Sequence, residues 1–143
     1  MTESLYQGAL VALARAGHGS GRLDQPDGST RVDNPLCGDE VTIDVKLDAG
    51  RVTQVGHKVR GCVLCEASAS WIGQHAVGCD EHVAATVLDE MRMLMEQGEV
   101  DSATWPETDL FAPVHRVKSR RRCVLLPLEA LHQVLAQTSE AQS

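Results

Sequence analysis

Aromatic residues are scarce in this chain, at 3% of 143 residues. With two Trp, one Tyr and one Phe available, the core is expected to be aliphatic, built from Val, Leu, Ile, Ala and Met. Positive charge is also short, and the formal net charge is −7. That argues against a general nucleic-acid binder, whose affinity comes from neutralising phosphates. No apolar run approaches the roughly 20 residues that span a bilayer, so no membrane association is expected. The stretch from Met1 to Leu13 lacks the basic segment and apolar block of a secretory signal. A cytoplasmic location is therefore expected. In a reducing compartment the five cysteines are expected to bind metal or react, not to form disulfides. No pair of CxxC motifs is present to mark a zinc ribbon.

What is present suits one globular domain over residues 1–143, with a polar, frayed tail from about residue 138. Apolar residues make up 43% of the chain, enough for a core without disulfide support. Leu5, Ala9, Leu13 and Ala16 predict a helix over 3–16. Glycines and prolines predict a loop over 17–35. Val41, Ile43, Val45 and Leu47 alternate with polar residues, as in a strand with one buried face. Asp48-Ala49-Gly50 reads as a hairpin turn, and Val52, Val55, His57 and Val59 as the returning strand. Its phase slips between Val52 and Val55, which predicts a bulge.

A small-residue helix is expected over about 66–77. Asp80 is expected to cap another, with Val83, Val87, Met91 and Leu94 on one stripe and Gly98 at its end. Residues 99–113 read as a polar connection. Pro127 suits the first turn of a last helix that buries Leu128, Leu131 and Leu135. The fold class is α+β, a small antiparallel β-sheet with α-helices packed on one face.

Three cysteines fall where the chain changes element. Cys37 precedes a strand, Cys62 lies between a strand and a helix start, and Cys123 lies just before the last helix. A helix N-terminus would favour the thiolate of Cys62, and Cys123 could share that effect. The carboxylate of Asp39 can reach the same point as the Cys37 sulfur, and three thiolates with one carboxylate suit tetrahedral zinc. The basic residues Arg116, Lys118, Arg120, Arg121 and Arg122 could offset the negative charge of such a site or dock an acidic partner, with a plain solvated face, or less readily nucleic-acid binding, as the alternatives. Spacing alone leaves two readings open, a shared metal site or separate thiols packed as small core residues.

Cys65 reads first as a small packed residue, with a sulfur relay or an oxidative link to Cys62 as alternatives. Cys79 reads as incidental. His57 reads as a surface or satisfied histidine, and His75, His82 and His132 as solvated. His115 is a weaker candidate ligand.

Asn34-Pro35-Leu36-Cys37-Gly38-Asp39, Gly61-Cys62-Val63-Leu64-Cys65-Glu66-Ala67-Ser68-Ala69-Ser70 and Arg120-Arg121-Arg122-Cys123 resemble, in order, three signatures of the SufU/IscU family. The long gap between Cys62 and Cys123 resembles the SufU branch, which carries an insertion that IscU scaffolds lack. Arg122 stands where those scaffolds carry a His, and Arg120 matches an Arg typical of SufU proteins. Cys65 departs from the Ser or other small residue usual at that position.

The resemblance implies a SufE/IscU-like fold and zinc held by Cys37, Asp39, Cys62 and Cys123. It implies that Cys37 accepts persulfide sulfur from a PLP-dependent, SufS-like cysteine desulfurase, with Arg120 in support. The sulfur would then pass to downstream cluster scaffold proteins. An alternative reading is a scaffold on which a [2Fe–2S] iron–sulfur cluster is assembled and transferred.

Overall fold

The computed structural model describes residues 8–36 and 38–142, with side chains to residue 138. The first half of the helix expected over 3–16 lies outside them, and its second half is α1, Ala9–Ala16. Three strands follow, β1 (Gly28–Asn34), β2 (Asp39–Asp48) and β3 (Arg51–Arg60). They form one antiparallel sheet in the order β1-β2-β3. Val41, Ile43 and Val45 are fully buried on its inner face. Burying such a side chain is worth about 1.5–3 kcal/mol. Ala49 and Gly50 join β2 to β3 with φ values of 54° and 79°, the primed-turn geometry that matches strand twist.

The expected bulge is present. Lys46 faces Gln54 while Leu47 faces Val52, so Thr53 is the extra residue. Downstream of it, Val55 returns to register against Val45.

The loop expected over 17–35 contains β1. This strand escapes notice because Val32 is its only large apolar residue, and Thr30 and Asn34 fill its buried positions. Strand pairing with β2 outweighs its weak propensity.

Helix α2 (Val63–His75) crosses the centre of the molecule, with Leu64 through Ile72 buried except Glu66. Helix α3 (Glu81–Gln97) begins where Asp80 accepts the Val83 N–H at 2.9 Å and ends at left-handed Gly98. Val87, Met91 and Leu94 of its predicted stripe are buried.

The expected polar connection is more structured than its composition suggests. Thr108–Arg116 forms a 3-10 helix. Trp71 donates its indole N–H to the Pro106 carbonyl at 2.8 Å, and its ring lies 5.1 Å from Trp105 and 5.5 Å from Phe111. Among the described residues the aromatics Trp71, Trp105 and Phe111 are thus concentrated at one place in a core that is otherwise aliphatic.

The last helix, α4, runs from Lys118 to Gln142 and packs on β1, β2, α2 and α3. Pro127 therefore sits inside it, not in its first turn. A proline there removes one helical N–H and crowds the carbonyl four residues earlier. The Ser68 hydroxyl of α2 donates to the neighbouring Val124 carbonyl at 2.7 Å. This bond ties α2 to α4 one residue past Cys123, whose carbonyl is the one that Pro127 leaves without its helical donor.

The outer edge of β3 is largely covered. The Gly21 N–H donates to the His57 carbonyl at 2.8 Å, and the His57 N–H donates to the Gly19 carbonyl at 3.0 Å. At the other end, Val52 exchanges hydrogen bonds with Gly78 and Cys79. His57 is buried and satisfied, with Nε2 2.7 Å from the His18 carbonyl oxygen. Gly73 allows this arrangement, because a Cβ there would overlap the His18 carbonyl.

Candidate metal centre

Asp39 opens β2, directly opposite Asn34 at the end of β1. Between them the chain makes a tight turn. The Gly38 N–H donates to the Asn34 backbone carbonyl at 2.8 Å, and the Leu36 N–H donates to the Asn34 side-chain oxygen at 3.1 Å. Cys37 belongs to this turn in sequence and lies outside the described residues. Leu36 beside it is 96% exposed.

Cys62 is the N-cap residue of α2, reached as β3 ends. Cys123 is fully buried in the second turn of α4. It was expected before that helix, and Pro127 misled the reading of where the helix begins. Its thiol therefore gains little from the helix dipole, whose effect fades within the first turn.

These three residues converge from a strand start, a helix cap and a helix interior. One ligand atom each from Asp39, Cys62 and Cys123 lies within 4.8 Å of the others. The Asp39 side chain is buried, and its Oδ2 has no hydrogen-bond partner. A carboxylate oxygen removed from water without a donor is costly, so the position calls for a cation or a proton donor.

The two sulfurs share a hydrogen bond. The Cys123 thiol donates to Cys62, which is the main reason the Cys62 thiol titrates low, at about 6. The N–H groups of Cys65 and Leu64 help, while burial and the Asp39 carboxylate oppose. Cys123 is held far above the usual thiol range, because ionisation would break that bond in a buried place beside Cys62 and Asp39. Without a metal, the pair thus holds one proton between two sulfurs.

A groove of about 640 Å³ flanks the site, lined by Pro35 and Leu36 on one side and Lys118, Arg120 and Arg122 on the other. Arg120 is half-buried there and is not among the clustered ligand atoms. Arg122 forms an ion pair with Glu129 at 3.4 Å. Arg121 turns away, its Nε donating to the His115 carbonyl at 2.9 Å.

His115 sits with Nδ1 2.7 Å from the Met95 carbonyl oxygen and does not join the cluster. His75, expected to be solvated, is half-buried in edge contact with Trp71 at 6.1 Å. Burial lowers its pKa. Cys65 is fully buried at the start of α2. Cys79 is buried as well, and burial pushes its thiol up to about 11, as in an unreactive core residue.

Sequence reasoning named Gly61 in the second signature but gave it no role at the site, and it lies against the Asp39 side chain. The one available signal was its place between a strand end and a reactive residue at a helix cap.

Comparison with known proteins agrees with this architecture. The NifU-like N terminal domain matches residues 6–124. The chain is 26% identical over 140 residues to the iron–sulfur cluster assembly scaffold protein IscU of Streptococcus pyogenes, covering 96% of this chain and 87% of that protein. It is 28% identical over 106 residues to the zinc-dependent sulfurtransferase SufU of Bacillus subtilis, covering 73% of this chain and 72% of that one. Among solved structures, a NifU-like protein (N-terminal) from Brucella abortus superimposes with a TM-score of 0.87 at 26% identity over 97% of both chains. The fold is also shared with a SufU from Fervidobacterium islandicum, with a TM-score of 0.87 at 21% identity over 94% of this chain and 99% of that one. With its α+β fold and its Asp39–Cys62–Cys123 cluster, this chain belongs to the NifU-like N-terminal domain family, the IscU/SufU family of iron–sulfur cluster assembly proteins.

Proposed function

We propose that this chain is a cytoplasmic sulfur acceptor of iron–sulfur cluster biosynthesis. In this reading it holds zinc and takes persulfide sulfur on Cys37 from a PLP-dependent, SufS-like cysteine desulfurase. It then passes the sulfur to downstream cluster scaffold proteins. The observation that carries this is the convergence of Asp39, Cys62 and Cys123, with Asp39 Oδ2 buried and unpartnered. Two sulfurs and a carboxylate oxygen fit zinc, and the adjoining turn offers Cys37 as the fourth donor. Bound zinc would keep these thiols deprotonated at neutral pH.

The transfer itself balances without an outside oxidant. The Cys37 thiolate attacks the outer sulfur of the desulfurase persulfide. A new S–S bond forms on Cys37 as the old one breaks, and the desulfurase leaves as a thiolate. Cys37 suits this step because its turn is next to the exposed Leu36, while Cys123 is enclosed. Arg120, at the rim of the groove, supports docking of the partner.

A second reading is a [2Fe–2S] scaffold, favoured by the similarity to the Streptococcus scaffold protein IscU and by thiolates that can also ligate iron. Arg122 in place of the His found in IscU scaffolds weighs toward sulfur transfer.

The test is metal and acid-labile sulfide content of freshly purified, untagged protein, followed by a desulfurase assay. About one zinc per chain, weakened in Asp39→Ala, and stimulation lost in Cys37→Ala are expected. Iron with labile sulfide would move the assignment to the scaffold. Full stimulation by Cys37→Ala would overturn the acceptor role.

A further inference from the structure

Gly61 lies between the end of β3 and Cys62. Its φ is outside the left-handed region, so its backbone would accept any L-residue. Space is what excludes a side chain. A Cβ at Gly61 would lie 2.8 Å from Asp39 Cγ, 2.8 Å from Asp39 Oδ1 and 3.2 Å from Asp39 Cβ. Carbon atoms do not approach so closely, since their optimal separation is about 3.5–4.0 Å.

Asp39 has little room to yield. It is buried and pinned at the first residue of β2, between Asn34 on one strand and Glu40 opposite Arg60 on the other. A methyl group at position 61 would turn its carboxylate away from the Cys62 and Cys123 sulfurs. Its Oδ2 lacks a hydrogen-bond partner, so among the described residues the Cys123 thiol is the one side chain shown bonding the carboxylate.

We infer that Gly61 is a positioning residue that seats the Asp39 carboxylate as the oxygen donor beside the two thiols, and so sets the metal affinity of the site. The inference rests on the zinc reading above. It also accounts for a glycine at a strand end, where it would otherwise only weaken the strand.

A double-mutant cycle tests it, with affinities from chelator competition for Zn²⁺ and from the thiolate charge-transfer band of Co²⁺. Gly61→Ala should weaken both metals by about 10–100-fold, the usual effect of losing a partner that orients a ligand. In an Asp39→Ala background, Gly61→Ala should change affinity by less than about twofold, because the group it displaces is gone. The Co²⁺ spectrum of Gly61→Ala should match that of Asp39→Ala, and the apo-protein melts should coincide.

Equal losses in both backgrounds would show that Gly61 acts through the fold and not through Asp39, and would overturn the inference. So would a Gly61→Ala protein that binds both metals like the parent. If the parent chain takes up neither metal, the zinc reading falls together with this one. If only the background dependence is missing, the zinc reading stands and the Gly61 assignment alone fails.

Discussion

Cys62 and Cys123 are chemically equivalent in the unfolded chain and opposite in the folded one. The proton that Cys123 keeps is the one that lets Cys62 lose its own. In metal-free protein, alkylation of Cys62 by iodoacetamide, followed by peptide mapping, should show a midpoint near pH 6. Cys123→Ala removes the donor, and the midpoint should move upward toward that of an ordinary thiol. An unmoved midpoint would mean that the helix N–H groups, not Cys123, set it.

The same pair makes apo stability depend on pH in two directions. Cys62 has a folded pKa of about 6 against 9.0 unfolded. Between these values the unfolded chain binds more protons, so stability rises with pH, and it is lost as pH falls through 6. Cys123 is shifted the other way. Above pH 9 the unfolded thiol ionises while the folded one does not, and stability should fall again. Urea midpoints of the apo-protein between pH 5 and pH 10 would trace this rise and fall. A flat profile would contradict the shared proton.

At the level of elements, the clearest dependence is that of α4 on α2. The Ser68 hydroxyl, on the helix that Cys62 caps, meets the Val124 carbonyl beside Cys123. Ser68→Ala removes this buried interhelical hydrogen bond, a net loss of about 0.5–1.5 kcal/mol. Urea denaturation should show the loss, and under the proposed zinc reading metal affinity should fall with it, because the two sulfurs are held less firmly in one frame. Gly73→Ala acts elsewhere. It would push residues 17–21 off β3, uncovering the His57 N–H and carbonyl on the strand edge. The expected result is a lower melting temperature and light scattering on warming, as exposed edges pair between molecules.

The elements also show where a sequence is readable. Strands β2 and β3, their turn, the bulge at Thr53 and the Asp80 cap were legible, because each follows from a local rule of period or turn chemistry. Strand β1 was not, since its one valine carries no period and its partner strand decides its state. The start of α4 was misread because Pro127 prefers a first turn and Lys118–Arg122 resembles an exposed linker. Only contact with α2 and the sheet shows otherwise. Of the site, the three motifs pointed to Asp39, Cys62 and Cys123. Nothing local revealed that Gly61 and Asp39 compete for one space, since that depends on β2 and β3 lying side by side.

Over the whole molecule, negative charge dominates at −7, while Lys118, Arg120 and Arg122 line the groove beside the cysteines. Association with an acidic partner should be steered to that face and should slow as salt rises, since surface charges are screened beyond about 10 Å at 0.1 M. Stopped-flow rates at 50 and 500 mM salt would test this, and a rate independent of salt would remove the basic rim from the docking account.

Cys123 has a further consequence for how the chain is made. Translation delivers Cys37, Asp39 and Cys62 long before Cys123, and α4, which carries Cys123, also packs against β1, β2 and two helices. A nascent chain on the ribosome therefore presents thiols without a pocket to hold them. The last helix closes the core and the Asp39–Cys62–Cys123 cluster in one event, so under the proposed zinc reading metal capture follows the synthesis of α4 and not the emergence of the first motif.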